Sequence, residues 1–260
     1  MARIHKNLVF REGYSADGAF VSPQVMDARL EFYIRNVMEH VCNHKDSHVV
    51  YAWDVVNEYY HSNLYNSDWT RVYGEQGMEP EYVKLAYQLA DEILRKHGMR
   101  EKSSLIFNDY CTFEVIGDFD MPQILIDLVS YINEDGKICD GIGMQGHLNS
   151  TIWPEMFMNA LNRFLDAGLE VQITELDIQL MGEAADREAR QAELYKGIFR
   201  ECAKLRSEGA NITGITMWDM SDNVSGFRER TPGLFRVPGE PKDVYYAVLQ
   251  EYVNAGLNGE

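Results

Sequence analysis

Two segments far apart in the chain, Trp53-Asp54-Val55-Val56-Asn57-Glu58 and Gln172-Ile173-Thr174-Glu175-Leu176-Asp177, each run an apolar, β-branched stretch straight into a carboxylate. Such a stretch reads as a buried strand, and the carboxylate marks where it meets water or a cleft. A single strand-end glutamate is equally well a surface residue, since loops are polar. Here Asn57 precedes one glutamate, Asp177 follows the other by two residues, and further polar strand ends lie between them. In a parallel β/α barrel the C-terminal strand ends converge on one mouth, so glutamates distant in sequence can face each other.

Helix-like and strand-like segments alternate from about residue 22, the pattern of a parallel sheet with crossover helices. Ser22-Pro23 is a cap followed by an N1 proline and opens a helix through Val41. A strand is expected from His48 to Val56, then a helix from Pro80 to its stop at Gly98, with apolar residues at helical spacing. Ser104 to Phe107 is a strand stopping at Asn108-Asp109-Tyr110, and Pro122 starts a helix to Ile132. Asp140 to Met144 is a strand stopping at Gln145-Gly146-His147, followed by a helix from Pro154 to Ala167. Glu170 to Thr174 is the strand ending at Glu175, Arg187 to Glu208 a long helix, Ile212 to Met217 a strand ending at Trp218-Asp219, and Lys242 to Val253 a closing helix. The expected fold class is α/β, of the (β/α)8 TIM-barrel type but incomplete. Five βα units are legible where a barrel needs eight, and only Ile4 to Phe10 offers one more strand. The chain is expected to be a single partial barrel domain over residues 1–260, with residues 1–21 as an irregular N-terminal segment.

A chain of 260 residues, 45% hydrophobic and 12% aromatic, can bury a sizeable core. Its net charge of -17 argues against nucleic acid or an anionic membrane as partner, because phosphates are bound through clustered Lys and Arg. A neutral or cationic ligand fits better. Cys42, Cys111, Cys139 and Cys202 are far apart among apolar neighbours, without zinc spacing, and read as reduced core residues. No apolar run reaches membrane length, and Met1 to Phe10 lacks the apolar stretch of a secretory signal.

Gly141-Ile142-Gly143-Met144-Gln145-Gly146 spells a dinucleotide fingerprint after a strand. That site needs a helix to open at the turn, whereas His147 to Pro154 reads as a loop. His147 has no zinc-binding companions. At one strand end, with Glu175 and Asp177 at the next, it could instead complete a hydrogen-bonded set. Its charge would favour Glu175 as a carboxylate nucleophile, leaving Glu58, in a more apolar setting, as the acid. Trp218, Tyr110, Phe113, Trp153 and Phe227 lie at or just past strand ends. Aromatics are usually core, but this position favours sugar stacking for Trp218 and, after it, for Trp153 and Tyr110. Serine-hydrolase and P-loop motifs are absent.

Together these residues resemble glycoside hydrolase family 10, the retaining endo-β-1,4-xylanases. Trp53 to Glu58 is similar to the family's fourth strand, and Ile173 to Asp177 to its seventh. Asn108-Asp109-Tyr110, Gln145-Gly146-His147 and Trp218-Asp219 resemble the fifth, sixth and eighth strand ends. The resemblance covers roughly residues 10 to 250. It implies Glu58 as general acid/base, Glu175 as nucleophile, and Asn57 at the 2-hydroxyl of the sugar being cleaved. Tyr110, Gln145, His147 and Trp218 would bind substrate, with His147 reaching towards Glu175 and a supporting Asp177. Xylan or xylo-oligosaccharides are the implied substrate, no metal or organic cofactor is implied, and a secreted or cell-surface location is expected.

Two departures stand out. The three earlier family strands, whose ends furnish the non-reducing side of the cleft, have no counterpart here, and Ser225-Gly226-Phe227 stands where the family often has a second tryptophan. Gut Bacteroidetes members interrupt the barrel after the third strand with carbohydrate-binding modules, and a chain beginning after such an insertion would look like this one. The expectation is then a chain impaired in isolation, which associates with itself or with a missing N-terminal barrel part. The alternatives are a non-catalytic xylan-binding or assembly fragment, and another retaining β-glycanase, such as a cellulase, of the same clan.

Overall fold

The computed structural model describes residues 8–152, 154–182 and 186–256. Within them the chain forms two compact units, one of residues up to 109 with 124–141, the other of residues 110–123 with those from 142 onwards.

The first unit begins with 3₁₀ turns at Leu8–Phe10 and Glu12–Tyr14, so the described part of the expected extra strand is not a strand. Helix α1 spans Pro23–Cys42, with the Ser22 hydroxyl accepting from Val25 N–H at 3.4 Å and Pro23 in the first turn. A 3₁₀ turn at Ser47–Val49 takes up the residues expected to start the next strand, so β1 is only Ala52–Asn57. A six-residue helix, α2, Asp68–Tyr73, is closed by a reciprocal Ser67/Thr70 capping box. Helix α3, Glu81–Lys96, buries Tyr82, Val83, Ala86, Tyr87, Leu89, Ala90, Ile93 and Leu94 on one face, the spacing an amphipathic helix needs. Strand β2, Ser104–Asp109, pairs in parallel with β1, setting Asn57 opposite Asn108 after an irregularity between Asp54 and Val56. Tyr87 OH donates to Ile106 C=O at 2.8 Å, tying α3 to β2. Helix α4, Met121–Ile132, buries Met121, Leu125, Leu128, Val129 and Ile132.

In the second unit a small antiparallel hairpin, β3 (Val115–Ile116) with β4 (Phe119–Asp120), interrupts the parallel pattern. Strand β5, Gly141–Met144, runs into β6, His147–Asn149, so the expected loop at His147 is partly strand. No helix opens there, and Gly146 instead turns with a φ of 78°. A β-carbon on it would meet Ile173 Cγ2 at 3.1 Å, so this glycine is required by packing as well as by conformation. Helix α5, Pro154–Asp166, precedes β7, Glu170–Gln179. β7 is twice its expected length, because β6 pairs in parallel with its distal half, with His147 opposite Asp177 and Asn149 opposite Gln179. Helix α6, Arg187–Ser207, strand β8, Ile212–Met217, and helix α7, Asp243–Asn254, complete the unit. β8 also pairs in parallel with β7, and β5 borders it, so β7 is the central strand here. Ile178 N–H donates to Tyr195 OH at 3.0 Å, anchoring the end of β7 on α6.

The alternating, mainly parallel α/β pattern is therefore as expected. Of the cysteines, Cys42, Cys139 and Cys202 are buried, while Cys111 is only half-buried. No described helix is long and apolar enough to cross a membrane.

Candidate active site

The first unit carries Asn57 and Glu58 at the end of β1. Asn108 Nδ2 donates to Asn57 Oδ1 at 2.9 Å across the paired strands, so the Asn57 amide is oriented by its partner in the register. Glu58 leaves the strand in the left-handed region, with φ 56° and ψ 41°. A π-helical turn, Tyr59–Asn63, follows directly. The apolar setting expected for Glu58 is not what its own unit provides. The residue is half-buried, and Ser62 Oγ donates to its Oε2 at 2.8 Å.

The second unit assembles the rest. His147 stands between two carboxylates, with Nε2 3.2 Å from Glu175 Oε2 and Nδ1 3.2 Å from Asp177 Oδ2. This follows from the β6–β7 register, since His147 is directly opposite Asp177 and Glu175 lies two positions before it on the same strand face. Asp177 is fully buried, and that burial raises its carboxyl above the ordinary value, with His147 acting against it. Burial works against a charge on His147 too, but Asp177 and Glu175 more than offset it and raise the imidazole to about 9. At neutral pH the ring is thus an imidazolium whose two N–H groups face two carboxylates.

Glu175 N–H donates to Gln145 C=O at 2.8 Å, and Gln145 is itself buried. Trp218 N–H donates to Leu176 C=O at 3.1 Å, placing its indole 6.3 Å from the His147 ring, edge to face. The indole is 48% exposed, an apolar plate open to a ligand. Tyr110 is half-buried beside Cys111, whose φ is 48°. Phe113 packs into the core against Phe157, so its expected place past a strand end carries no binding surface. Phe227 is exposed, while Trp153 lies outside the described residues.

Two polar groups had no signal in the sequence. Ser62 and His61 are common loop residues, and only the folded turn brings Ser62 to Glu58 and His61 Nδ1 to Asp109 Oδ1 at 2.9 Å. Asp219, legible as a strand end, accepts from Ser225 Oγ at 2.6 Å.

Residues 8–251 match the family model described as Glycosyl hydrolase family 10. The chain belongs to that family. It is 40% identical over 246 residues to Endo-1,4-beta-xylanase A of Butyrivibrio fibrisolvens, covering 94% of this chain and 56% of the relative. It is 34% identical to the Bifunctional endo-1,4-beta-xylanase XylA of Ruminococcus flavefaciens, covering 92% of this chain and 24% of that one. Among solved structures, the intracellular xylanase TsXylA of Thermoanaerobacterium saccharolyticum superimposes with a TM-score of 0.77 at 28% identity, over 93% of this chain and 71% of its own. The chain thus spans about half or less of these curated relatives. TsXylA is described as intracellular, so family membership does not carry the expectation of secretion.

Proposed function

We propose that the chain is the catalytic part of a retaining endo-β-1,4-xylanase, with xylan or xylo-oligosaccharides as substrate. Glu175 is the nucleophile and Glu58 the general acid/base. In the first step a Glu175 carboxylate oxygen bonds to the anomeric carbon while the glycosidic bond breaks and Glu58 protonates the departing oxygen. In the second, Glu58 takes a proton from water as it displaces Glu175, restoring both carboxyl groups. This mechanism calls for a separation of about 5 Å between the two carboxyl groups, against about 6.5–9.5 Å for inversion. Asn57 contacts the 2-hydroxyl, Gln145, His147 and Tyr110 bind the sugar, and Trp218 stacks on it. Asp177 supports His147.

The observation that most favours this reading is the His147 bridge between Glu175 and Asp177 at 3.2 Å on both sides. It fixes one carboxylate oxygen of Glu175 and supplies a nearby positive charge. Glu175→Ala should abolish hydrolysis. Glu58→Ala should be slow on xylan yet keep activity on aryl glycosides, whose leaving groups need little protonation. Equal loss on both substrates would refute the role of Glu58. Release of sugar from carboxymethylcellulose but not from xylan would favour the cellulase alternative, and binding without cleavage the non-catalytic one.

We also propose that residues 1–260 form one partial barrel domain equivalent to strands 4–8, impaired alone and completed by self-association or by an N-terminal barrel part. Support comes from the first unit, where Val55 and Val56 of β1 line an apolar groove of about 470 Å³ with Met26, Leu30, Ile34 and Tyr82. Helix α1 beside it exposes Val25, Phe32, Tyr33 and Val37, which costs about 25 cal/mol per Å² if left in water. Light scattering alongside a xylanase assay tests this. A stable monomer with full activity would overturn it.

A further inference from the structure

The turn after β1 does more than end a strand. Glu58 has a long side chain with three torsions, and a carboxylate at the edge of a cleft would sample several rotamers. In the π-helical turn Tyr59–Asn63, Ser62 N–H returns to Glu58 C=O at 3.0 Å, and Asn63 Nδ2 donates to the same carbonyl at 2.9 Å. That winding brings the Ser62 hydroxyl to Glu58 Oε2 at 2.8 Å. The hydroxyl is thus a hold on the carboxylate from within its own turn.

The turn is in turn fastened to β2. Asp109 at the end of that strand is fully buried, and its two oxygens take the Tyr60 N–H at 3.1 Å and His61 Nδ1 at 2.9 Å. Glu58 N–H donates to Asn108 C=O at 2.8 Å, one residue earlier. Below the turn the buried Tyr59 hydroxyl donates to Gly77 C=O. Every residue from Glu58 to Ser62 is therefore held at a named atom, and the Ser62 hydroxyl touches the carboxylate.

We propose that Ser62 is a positioning residue for Glu58, with the Asp109–His61 pair as the anchor that keeps Ser62 in reach. The inference rests on the proposed acid/base role of Glu58 and goes beyond it, since neither serine nor anchor follows from that role. Ser62 does not touch substrate. It selects the Glu58 rotamer from which a proton reaches the leaving oxygen.

Two measurements on the whole chain test this. In crystal structures, Glu58 should occupy a single rotamer bonded to Ser62 in the wild type, several in Ser62→Ala, and one again in Ser62→Thr. This readout needs no turnover. In kinetics, Ser62→Ala should lower kcat/KM on xylotetraose by roughly five- to tenfold, the cost of one misplaced proton donor. On dinitrophenyl xylobioside, whose bond cleavage needs no acid, kcat/KM should change less than about twofold. Ser62→Thr should restore the xylotetraose value. An unmoved Glu58 in Ser62→Ala, or equal loss on both substrates, would overturn the inference. Glu58→Gln measured in parallel separates the failures. If it shows no leaving-group dependence, the acid role itself falls, whereas if it does and Ser62→Ala does not, only the role of Ser62 falls.

Discussion

The His147 bridge makes a quantitative claim about stability and pH. An imidazole raised from 6.5 to about 9 keeps its proton in the folded chain after the unfolded chain has lost it. That interval is worth about 3 kcal/mol at 1.36 kcal/mol per pKa step, and about 2 kcal/mol after discounting for the quarter of the side chain that water reaches. The stabilisation is complete below pH 6.5, declines as the unfolded histidine deprotonates, and is gone once pH passes about 9. The raised Asp177 carboxyl acts with the same sign, but its decline starts from 3.8. In His147→Gln the ring is gone, and buried Asp177 faces Glu175 without a cation between them. Urea denaturation followed by tryptophan fluorescence at pH 6 and pH 10 isolates the bridge as a double difference, because groups outside it titrate alike in both proteins. The variant should be less stable by about 2 kcal/mol at pH 6 and nearly level with the wild type at pH 10. Parallel stability curves, or an NMR titration placing His147 near 6.5, would refute the bridge as a charged one.

Other outcomes follow from neighbouring features. Gly146→Ala combines a φ of 78° with a methyl 3.1 Å from Ile173 Cγ2, and should lower stability by about 1–3 kcal/mol in thermal or urea unfolding. Lys242 is buried, with Nζ donating to the carbonyls of Thr231 at 2.7 Å and Gly233 at 2.9 Å and lying 3.3 Å from Asp222. Lys242→Met removes the cation beside buried Asp222 and should cost about 3–5 kcal/mol by denaturation. Trp218→Ala removes the exposed indole and should weaken xylotetraose binding about tenfold by calorimetry, with little change in stability.

Helix positions were legible wherever an early proline coincided with an apolar face, as at Pro23 and just after Pro80. Neither needs a distant partner to be read. Helix α2 was not legible, because six residues are too few for a period to appear and its capping box lies in a polar run. The local pattern of β7 suggests a stop at Glu175. Leu176 and Ile178 fall out of phase with Val171 and Ile173, and what extends the strand is β6, a partner more than twenty residues away. The same limit applies to the site. Glu58, Glu175 and His147 stand out as residue types at strand ends, whereas the Ser62 contact depends on a π-helical turn that no local pattern announces.

Glu58 sits at a φ of 56°, in a region where a β-carbon costs about 1 kcal/mol and glycine nothing. If the backbone there is otherwise unchanged, Glu58→Gly should yield a chain more stable than the parent and unable to donate a proton. On the proposed acid/base role the position is under two opposed pressures, with chemistry holding the glutamate in place and folding favouring its loss. A lineage released from cleaving polysaccharide would be expected to give up this carboxylate early, since discarding it carries a reward in stability.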